Sequence, residues 1–563
     1  MKYRRDKASL IAFAFYAATL WSGSAFAQYT TASLEGAVTD PSGRSVPAVN
    51  VTIQSEDTGL TRTVVTGEDG VYRFPALPVG TWRLRAEKPG FSTYVQAGIE
   101  LTTNQAATQD IKLQIGAVSA EVQVTANAAM LNTETATLSQ LVDQQRVVDL
   151  PLNGRTPQSL VFITPGAINV GITGSQGGVY PTEQGAAVNG GGRMNVNYQM
   201  DGAAHNDTYV SENLPFPNPD AIQEFNVQTT NMSAEYGNST SVVNIVTKSG
   251  TNRFHGDAFE FLRNGDLNAR NFFAPTHDTL NRNQFGGTLG GPILKDKLFF
   301  FGTYQGTRVR TAPASATAFV PTEAERNGDL SAISNQLKNP FTGVPFPGNQ
   351  IPASLLSAPV KYFLQGIPLP NGPGGLLTYT GPRSIQQDDQ FMPKVDWNHG
   401  RNQISGRYFY SRYSQPPDYA SAAKDFLDLG GGQLLHVGTL ALNDTFTASP
   451  TLLFNTWFGW DSQVGGSLSG DPTNNPITFA AAGVPIAVGA SGIPPALEQL
   501  SVGGFFTLAS GHLGNFNRGD WQFREAVTVQ KGRHELIFGG DVLRLLQDIT
   551  NTNTQSGVFN FNG

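Results

Sequence analysis

Gln403-Ile404-Ser405-Gly406-Arg407-Tyr408-Phe409-Tyr410-Ser411 is the stretch of this sequence that decides the fold. Every second residue from Ile404 to Tyr410 is apolar, aromatic or glycine, and Gln403, Ser405, Arg407 and Ser411 take most of the alternate positions. Successive side chains of a β-strand point to opposite faces. The stretch therefore predicts a strand with one bulky apolar face and one polar face. His436–Thr447 shows the same asymmetry, with Gly438, Leu440, Leu442 and Phe446 opposed to Thr439, Asn443 and Thr445.

Working outward from this strand, short connections alternate with long ones. The short ones lie inside strand pairs, at 290–297, 399–402, 448–451 and 531–533, and the long ones at about 264–283, 308–390, 412–435 and 463–520. With Gly256–Arg263 this predicts nine strands, and a tenth near Val558. A soluble domain rarely contains several loops beyond about 15 residues. Short turns at one end and long loops at the other are the layout of an outer-membrane β-barrel.

The composition excludes several other classes. The chain has 563 residues, 37 Lys+Arg against 44 Asp+Glu, and no cysteine, so disulfides and cysteine-ligated metals are ruled out. The acidic balance argues against nucleic acid as a partner. Glycine is 62 of 563 residues, which argues against a long helical bundle because an interior glycine costs roughly 1 kcal/mol against alanine.

The amino terminus has the pattern of a secretion signal. Basic residues among the first seven precede the apolar run Leu10–Leu20, and Ala25-Phe26-Ala27 follows. This predicts a signal peptide over 1–27 with cleavage before Gln28. The alternative is an uncleaved anchor helix, but the apolar run is shorter than the ~20 residues that span a bilayer.

Residues 28–115 contain about seven short alternating runs separated by turns, which predicts a β-sandwich. Gly36-Ala37-Val38-Thr39-Asp40, Gly70-Val71-Tyr72-Arg73-Phe74 and Lys88-Pro89-Gly90-Phe91 resemble the carboxypeptidase regulatory-like domain family. The resemblance implies a carbohydrate-binding-like sandwich fold rather than an activity. Tyr72, Trp82 and Tyr94 would either stack on a sugar or fill the core between the sheets.

Residues 116–250 are richer in turns. The spacing of Leu138, Leu141, Val142 and Val148 predicts a helix over 138–150 that ends at Pro151. Asn153-Gly154-Arg155 predicts a turn, and Asn197–Met200 predicts an extended run that ends in an Asp201-Gly202 turn. Further short strands are expected at 221–228 and 241–247.

Three motifs in this segment resemble the plug domain of TonB-dependent outer-membrane transporters. They are Leu150-Pro151-Leu152-Asn153-Gly154-Arg155, Asn197-Tyr198-Gln199-Met200-Asp201-Gly202, and Ala234-Glu235-Tyr236-Gly237 with Val243–Gly250. The similarity is greatest to the Oar-like group, whose members have the regulatory-like domain before the plug. It implies a plug at 131–250, followed at 251–563 by the first part of the barrel.

The linker 116–130 matches the position of the family's TonB box. The candidate residues are Glu121, Val122, Gln123, Val124, Thr125 and Ala126. An extended β-branched segment has backbone groups to which a partner strand can add. The alternative is that this segment is the last strand of the sandwich. Since family barrels have 22 strands, the expectation is that this sequence is a fragment with an incomplete barrel.

No catalytic constellation or metal-ligand spacing is present in the sequence, so an enzyme is not expected, nor is a cofactor. The seven histidines are scattered, and Asp388-Asp389 is expected in a solvated loop.

The predicted architecture is therefore mainly β: signal peptide, small sandwich, plug, and an incomplete antiparallel transmembrane barrel. The resemblance implies an outer-membrane receptor that imports a bulky ligand, with TonB as its periplasmic partner and lipid around it. Siderophore, glycan, peptide and cobalamin-like ligands all fit. Two other hypotheses stay open: a surface or secreted glycan-binding adhesin without transport, and an enzyme with a carbohydrate-binding module.

Ligand contacts in such a receptor are expected on plug loops. The candidates are the polar residues of turn-rich stretches: Arg193, Asn195, His205, Asn206 and Asp207. The alternative is that these side chains hydrogen-bond the plug to a polar barrel wall.

Overall fold

The structure is a computed structural model. It describes residues 31–116, 121–125, 137–171, 185–232, 234–237, 239–270, 272, 277–312, 315–380, 384–416, 418–419, 428–469, 482–484, 499–508, 512–531, 534–551 and 558–562. The predicted signal peptide and Ala126 lie outside these residues.

The first unit is the predicted sandwich. Its strands are β1 Ala32–Thr39, β2 Asn50–Ser55, β3 Thr61–Val65, β4 Val71–Leu77, β5 Gly80–Glu87, β6 Thr93–Leu101, β7 Ala106–Thr108, β8 Ile111–Lys112 and β9 Glu121–Thr125. One sheet has the order β4-β1-β7, with β8 also on β1, and the other has the order β3-β2-β5-β6-β9. Alternating apolar residues of both sheets, such as Leu34, Ile53 and Leu84, form a buried core between them.

The second unit, called the inner unit, spans residues 137–247. Its elements are β10 Leu138–Asp143, α1 Gln144–Asp149, β11 Ala167–Asn169, β12 Ala186–Val188, β13 Val196–Met200, β14 Ala203–Ala204, β15 Ile222–Thr230 and β16 Ser241–Thr247. The main sheet has the order β10-β15-β16-β13-β14, and β11 pairs with β12. Three side chains of the following sheet, Phe301, Met392 and Phe409, belong to the same buried core. The inner unit therefore packs directly on that sheet.

The third unit is one large antiparallel sheet with a set of connecting elements. Its elements are β17 His255–Asn264, β18 Asn281–Leu294, β19 Leu298–Thr311, β20 Ser315–Phe319, α2 Glu323–Arg326, α3 Ala358–Leu364, β21 Leu376–Thr380, β22 Ser384–His399, β23 Asn402–Gln415, β24 Asp418–Tyr419, β25 Asp428–Ser449, β26 Leu452–Ser469, β27 Gln499–Val502, β28 Phe506–Leu508, β29 His512–Lys531, β30 His534–Asn551 and β31 Val558–Phe561. Nine strands follow the order β17-β18-β19-β22-β23-β25-β26-β29-β30. Within the described residues this sheet does not close.

The large sheet has the polarity of a barrel wall, with polar side chains covered and apolar ones outside. The face toward the inner unit buries polar and charged residues, among them Gln284, Thr303, Lys394, Arg407, Thr439, Asn455, Asp461, Gln463, Arg518 and Arg524. The opposite face exposes large apolar residues, among them Tyr304, Phe391, Ile404, Leu442, Val464 and Trp521. Ile404 is on the exposed face and Arg407 is only 1% exposed, as the alternation of 403–411 predicted. In the described part of the chain, no helix is long and apolar enough to cross a membrane.

The predicted hairpins are confirmed, but their strands are longer than predicted. Three of the short connections fall at 295–297, 400–401 and 450–451, and at the fourth β29 ends at Lys531 and β30 begins at His534. At the other end, the elements β20, β21, α3, β27 and β28 bury a small apolar core of their own, which includes Val320, Phe363 and Leu508.

Three expectations were wrong. Residues 138–143 form a strand rather than the start of a helix, because they pair with β15 from Leu138 with Thr230 to Asp143 with Glu224. The Asp143 side chain then caps α1, which ends before Pro151 as predicted. Asp388-Asp389 lies in β22 rather than in a loop, and Asp389 pairs with Arg308 at 2.7 Å. Val558–Phe561 pairs with β27 and is not a tenth strand of the large sheet.

Candidate functional site

Asp201 is the centre of the contact between the inner unit and the large sheet. The predicted Asp-Gly turn places it in the left-handed region at φ 51°, directly after β13. Its carboxylate lies 3.2 Å from Nε of Arg407 and 3.5 Å from Nζ of Lys394. Thr247 donates its backbone N–H and its hydroxyl to the same carboxylate, at 2.9 and 2.8 Å.

The charge balance at this position is favourable to the ionised acid. Burial alone raises the pKa of Asp201, but Lys394, Arg407 and the two hydrogen bonds from Thr247 outweigh it and lower the pKa below 3.8. Arg407 also donates to the carbonyl of Met200 at 3.1 Å. A buried carboxylate between two cations therefore fastens the inner unit to β22 and β23.

A second buried ion pair lies nearer the end with the long connections. Asp207 and Arg518 of β29 are both fully buried, and their side chains meet at 2.7 Å. Oδ1 of Asp207 accepts from Nη1 of Arg518 at 2.8 Å and from the backbone N–H groups of Tyr209 and Val210 at 2.7 and 2.9 Å. Asp207 thus orders its own loop and joins that loop to β29 of the large sheet. This agrees with the alternative interpretation, in which these side chains hydrogen-bond the plug to a polar barrel wall.

A third contact holds the Asn153-Gly154-Arg155 turn. Arg155 has φ 54° and pairs with Asp220 of the inner unit. Its guanidinium lies over the rings of Phe259 and Phe261 of β17, 4.5 and 4.1 Å from their centroids. The turn residue therefore bridges the inner unit and the first strand of the large sheet.

His205 and Asn206 also have structural contacts. The His205 ring stacks on Phe216 with centroids 5.4 Å apart, and its Nε2 lies 2.9 Å from the carbonyl of Pro215. Burial, together with the nearby Arg407, lowers the pKa of His205 to about 3, so the ring is neutral. The Asn206 side chain accepts from Tyr198 N–H and donates to the carbonyls of Val196 and Ser211.

Arg193 and Asn195 lie closer to solvent. Arg193 forms a 3.4 Å ion pair with Glu212, whose carboxylate is buried beneath it. Burial raises the pKa of Glu212, and the neighbouring Arg193 opposes this rise. The Asn195 side chain is exposed, and its backbone carbonyl accepts from Thr240. The backbone N–H of Asp207 donates to the carbonyl of Glu212 at 2.7 Å. Glu212 therefore contacts both Arg193 and Asp207 and links them within loop 205–214.

The candidate TonB box occupies an edge of the sandwich. Residues 121–125 form β9, which pairs in parallel with β6 from Thr93 with Glu121 to Ala97 with Thr125, without a bulge. Val122 is 37% exposed. This arrangement corresponds to the alternative interpretation, in which the segment is the last strand of the sandwich.

The sandwich is fastened to the other two units at the end with the short turns. Thr103 donates its N–H and its hydroxyl to one oxygen of Glu224 in β15, at 2.8 and 2.6 Å. Arg62 donates to the side chain of Gln403 at 3.1 Å, beside the 400–401 turn. The backbone N–H of Asn252 donates to the carbonyl of Asp57 at 2.9 Å.

The sandwich offers no aromatic platform at the three positions considered for sugar stacking. Trp82, Tyr72 and Tyr94 are all buried in its core, as the alternative interpretation has it. Among the described residues, no group of three or more His, Asp or Glu side chains is arranged to hold a metal ion.

Sequence reasoning missed the wall residues that meet the inner unit. Arg407 is accompanied only by neutral side chains on its face of β23, whereas Lys394 shares its strand face with Asp388 and Asp396, and Arg518 shares its face with Asp520 and Arg524. A lone cation on a lumen-facing position, where burial is expected, requires an anionic partner. The alternation of the strand places such a cation on the lumen-facing side, but it does not identify the acidic residue that pairs with it.

Comparisons with known proteins agree with this architecture. The outer membrane beta barrel domain family matches residues 246–563, more than half of the chain, and the carboxypeptidase regulatory-like domain family matches residues 33–114. The chain is 32% identical over 322 residues to the TonB-dependent transporter Oar of Myxococcus xanthus. The match covers 53% of this chain and 29% of that protein.

The matches to solved structures are more distant. The outer membrane transporter YddB from Escherichia coli matches at 9% identity and a TM-score of 0.44, over 73% of this chain and 53% of that one. The ferripyoverdine receptor of Pseudomonas aeruginosa matches at 12% identity and a TM-score of 0.39, over 81% and 62%. The sequence matches define the family. The chain belongs to the outer membrane beta barrel domain family, and its N-terminal part matches the carboxypeptidase regulatory-like domain.

Proposed function

We propose that this protein is a TonB-dependent receptor that imports a bulky ligand across the outer membrane, with the inner unit as its plug. The observation that supports this proposal is the packing of the inner unit on the polar face of the large sheet. Buried ion pairs of Asp201 and Asp207 with wall cations join the two. A polar wall filled by a separately folded sheet is the arrangement of a plugged lumen.

Strand β9, together with Ala126, is the proposed site of TonB. Binding by strand addition depends on backbone N–H and C=O groups of the receptor segment. Proline removes an N–H, whereas threonine keeps both the N–H and the β-branched shape. The double substitution Val122→Pro with Val124→Pro is therefore expected to abolish binding of the purified periplasmic domain of TonB, and Val122→Thr with Val124→Thr to retain it.

The measurement is titration of that TonB domain onto the full chain in detergent. Equal binding by the proline and threonine variants would remove the TonB assignment from this segment. Loss of binding in both variants would point to a side-chain contact rather than strand addition.

The ligand site is proposed at the end of the inner unit nearest the long connections, around Arg193, Asn195 and loop 205–214. Of the five candidate residues, His205, Asn206 and Asp207 support the loop, and Arg193 and Asn195 are the two that we propose as ligand contacts. A panel of ferric siderophores, oligosaccharides and peptides titrated onto the full chain identifies the ligand class. Arg193→Gln is expected to weaken the binding of the probe that binds, whereas Arg146→Gln, an exposed arginine of α1, is not.

A further inference from the structure

Strand β9 is both the proposed TonB segment and the edge strand of the sandwich sheet. Five consecutive residues pair in register with β6, and the order β3-β2-β5-β6-β9 makes them part of that sheet. A segment in this position is not a loose tether between the sandwich and the inner unit. Moving it requires that its hydrogen bonds to β6 break.

The sandwich is in turn fixed to both the inner unit and the large sheet. Thr103 follows β6 by two residues and is bonded twice to Glu224 of the inner unit. Contacts of Arg62 with Gln403 and of Asp57 with Asn252 join the sandwich to the short-turn end of the large sheet. A load applied to β9 therefore passes through β6 into the sandwich and is shared among its contacts with the large sheet and with Glu224, as long as β9 stays on β6.

We propose that the N-terminal sandwich is a latch that holds β9 at rest, and that β9 must leave β6 before a pull by TonB passes directly along the chain into the inner unit. The proposal rests on the proposed function, because it takes TonB as the source of the pull. The sandwich would thereby set the load below which the inner unit stays in place, which gives this domain a mechanical role separate from ligand binding.

The absence of cysteine in the chain allows a direct test with an introduced disulfide. Ala97 and Thr125 are partners across β6 and β9, and adjacent strands lie at a spacing compatible with a disulfide. The test variant is Ala97→Cys with Thr125→Cys. The control is Thr52→Cys with Thr63→Cys, a pair of β2 and β3 in the same sheet, whose exposed hydroxyls are 2.9 Å apart. The control bond leaves β9 unconstrained.

The first readout is disulfide formation in the full chain in outer membranes under mild oxidation. We expect both pairs to close. Closure of the control pair without closure of the 97–125 pair would overturn the proposal, because β9 would then not rest on β6.

The second readout is pulling with the periplasmic domain of TonB attached to a force-probe tip. The reduced test variant is expected to show a low-force extension step as β9 leaves β6. Oxidation should abolish this step in the test variant and leave it in the control. A step that persists in the oxidised test variant would overturn the latch while leaving the TonB assignment intact.

The two proposals fail in different ways. If the unsubstituted chain does not bind the TonB domain, the proposed function fails and the latch with it. If the unsubstituted chain binds and only the disulfide or the pulling result differs from expectation, the latch alone fails.

Discussion

Asp201 fastens the inner unit to the wall with one side chain, and its removal is the sharpest residue-level test. Asp201→Asn keeps the shape and can keep the Thr247 contacts, but it leaves Lys394 and Arg407 buried without an anion. Breaking a buried pair by removing one partner costs about 3–5 kcal/mol. We expect faster hydrogen exchange in β13 and β16, measured by mass spectrometry on the full chain.

Glu87→Gln is the matched control for Asp201→Asn, because Glu87 forms an ion pair with Arg85 in which both side chains are substantially exposed. Exposed pairs contribute about 0–1 kcal/mol. Equal effects of the two substitutions on β13 would show that Asp201 does not fasten the inner unit.

His205 makes the stability of the inner unit depend on pH. Its pKa is about 3 in the fold and 6.5 when unfolded, so between these values only the unfolded state takes up the proton. The neutral ring makes its full contribution to the free energy of unfolding above pH 6.5. This contribution falls by about 1.4 kcal/mol for each pH unit below that value. Between pH 6.5 and 5 we expect a loss of about 2 kcal/mol in the opening free energy.

His205→Phe separates this titration from packing, since phenylalanine keeps the ring against Phe216 and has no proton to gain. The variant is expected to lose some stability at pH 7.5 and to lose the part of the pH slope that comes from His205. Hydrogen exchange of β13 at pH 5 and 7.5, corrected for intrinsic exchange rates, measures both. An unchanged slope would assign the acid sensitivity to other groups.

Among the elements, the strands were predictable and their long-range partners were not. The alternation of 403–411 and 436–447 identifies β23 and β25 because one face of each meets lipid and the other a polar interior. Residues 138–143 carry a helical spacing, yet pairing with β15 made them a strand. Asp201 could be identified as a turn residue, but its partner Arg407 lies 206 positions away, and nothing local in the sequence joins them.

The joint between sandwich and inner unit is testable at Thr103. Thr103→Val keeps the backbone N–H bond to Glu224 and removes the hydroxyl bond of 2.6 Å. A hydrogen bond to a charged group contributes about 1.5–3 kcal/mol. Burial raises the pKa of Glu224, and Thr103 opposes this rise, so the substitution should raise the pKa further. We expect faster hydrogen exchange at 102–105 and in β15.

Thr61→Val, in the exposed edge strand β3, is the control and should leave hydrogen exchange in both segments unchanged.

For the whole molecule, the distribution of polarity in the large sheet identifies its environment. Charged side chains such as Arg407 and Arg518 are covered, whereas Leu442, Ile404 and Trp521 face outward. A water-soluble sheet would bury the second set. This inversion is a property of both faces taken together. Composition alone, with 14% charged residues, therefore excludes other classes but does not give the depth of each residue.

Leu442 and Leu434 provide a matched pair for measuring that depth. Both are outward leucines of β25, 42% and 39% exposed. They lie 7 and 15 residues from Ser449 at the short turn, which at ~3.3 Å per residue and a tilt of ~45° corresponds to heights of about 16 and 35 Å. The apolar band of an outer-membrane barrel is ~25 Å tall. Leu442 is therefore within the band and Leu434 beyond its outer edge.

An arginine at each position should then have different costs. Leu442→Arg is expected to destabilise the protein by about 2–4 kcal/mol and Leu434→Arg by about 0–1 kcal/mol, because the cost of a charge on the lipid face falls toward the interfaces. Urea unfolding of the full chain in lipid vesicles measures the difference. The same pair in detergent micelles, whose apolar layer is thinner and adapts to the charge, should show a smaller gap. Equal costs in vesicles would mean that the band does not lie where the short turns place it.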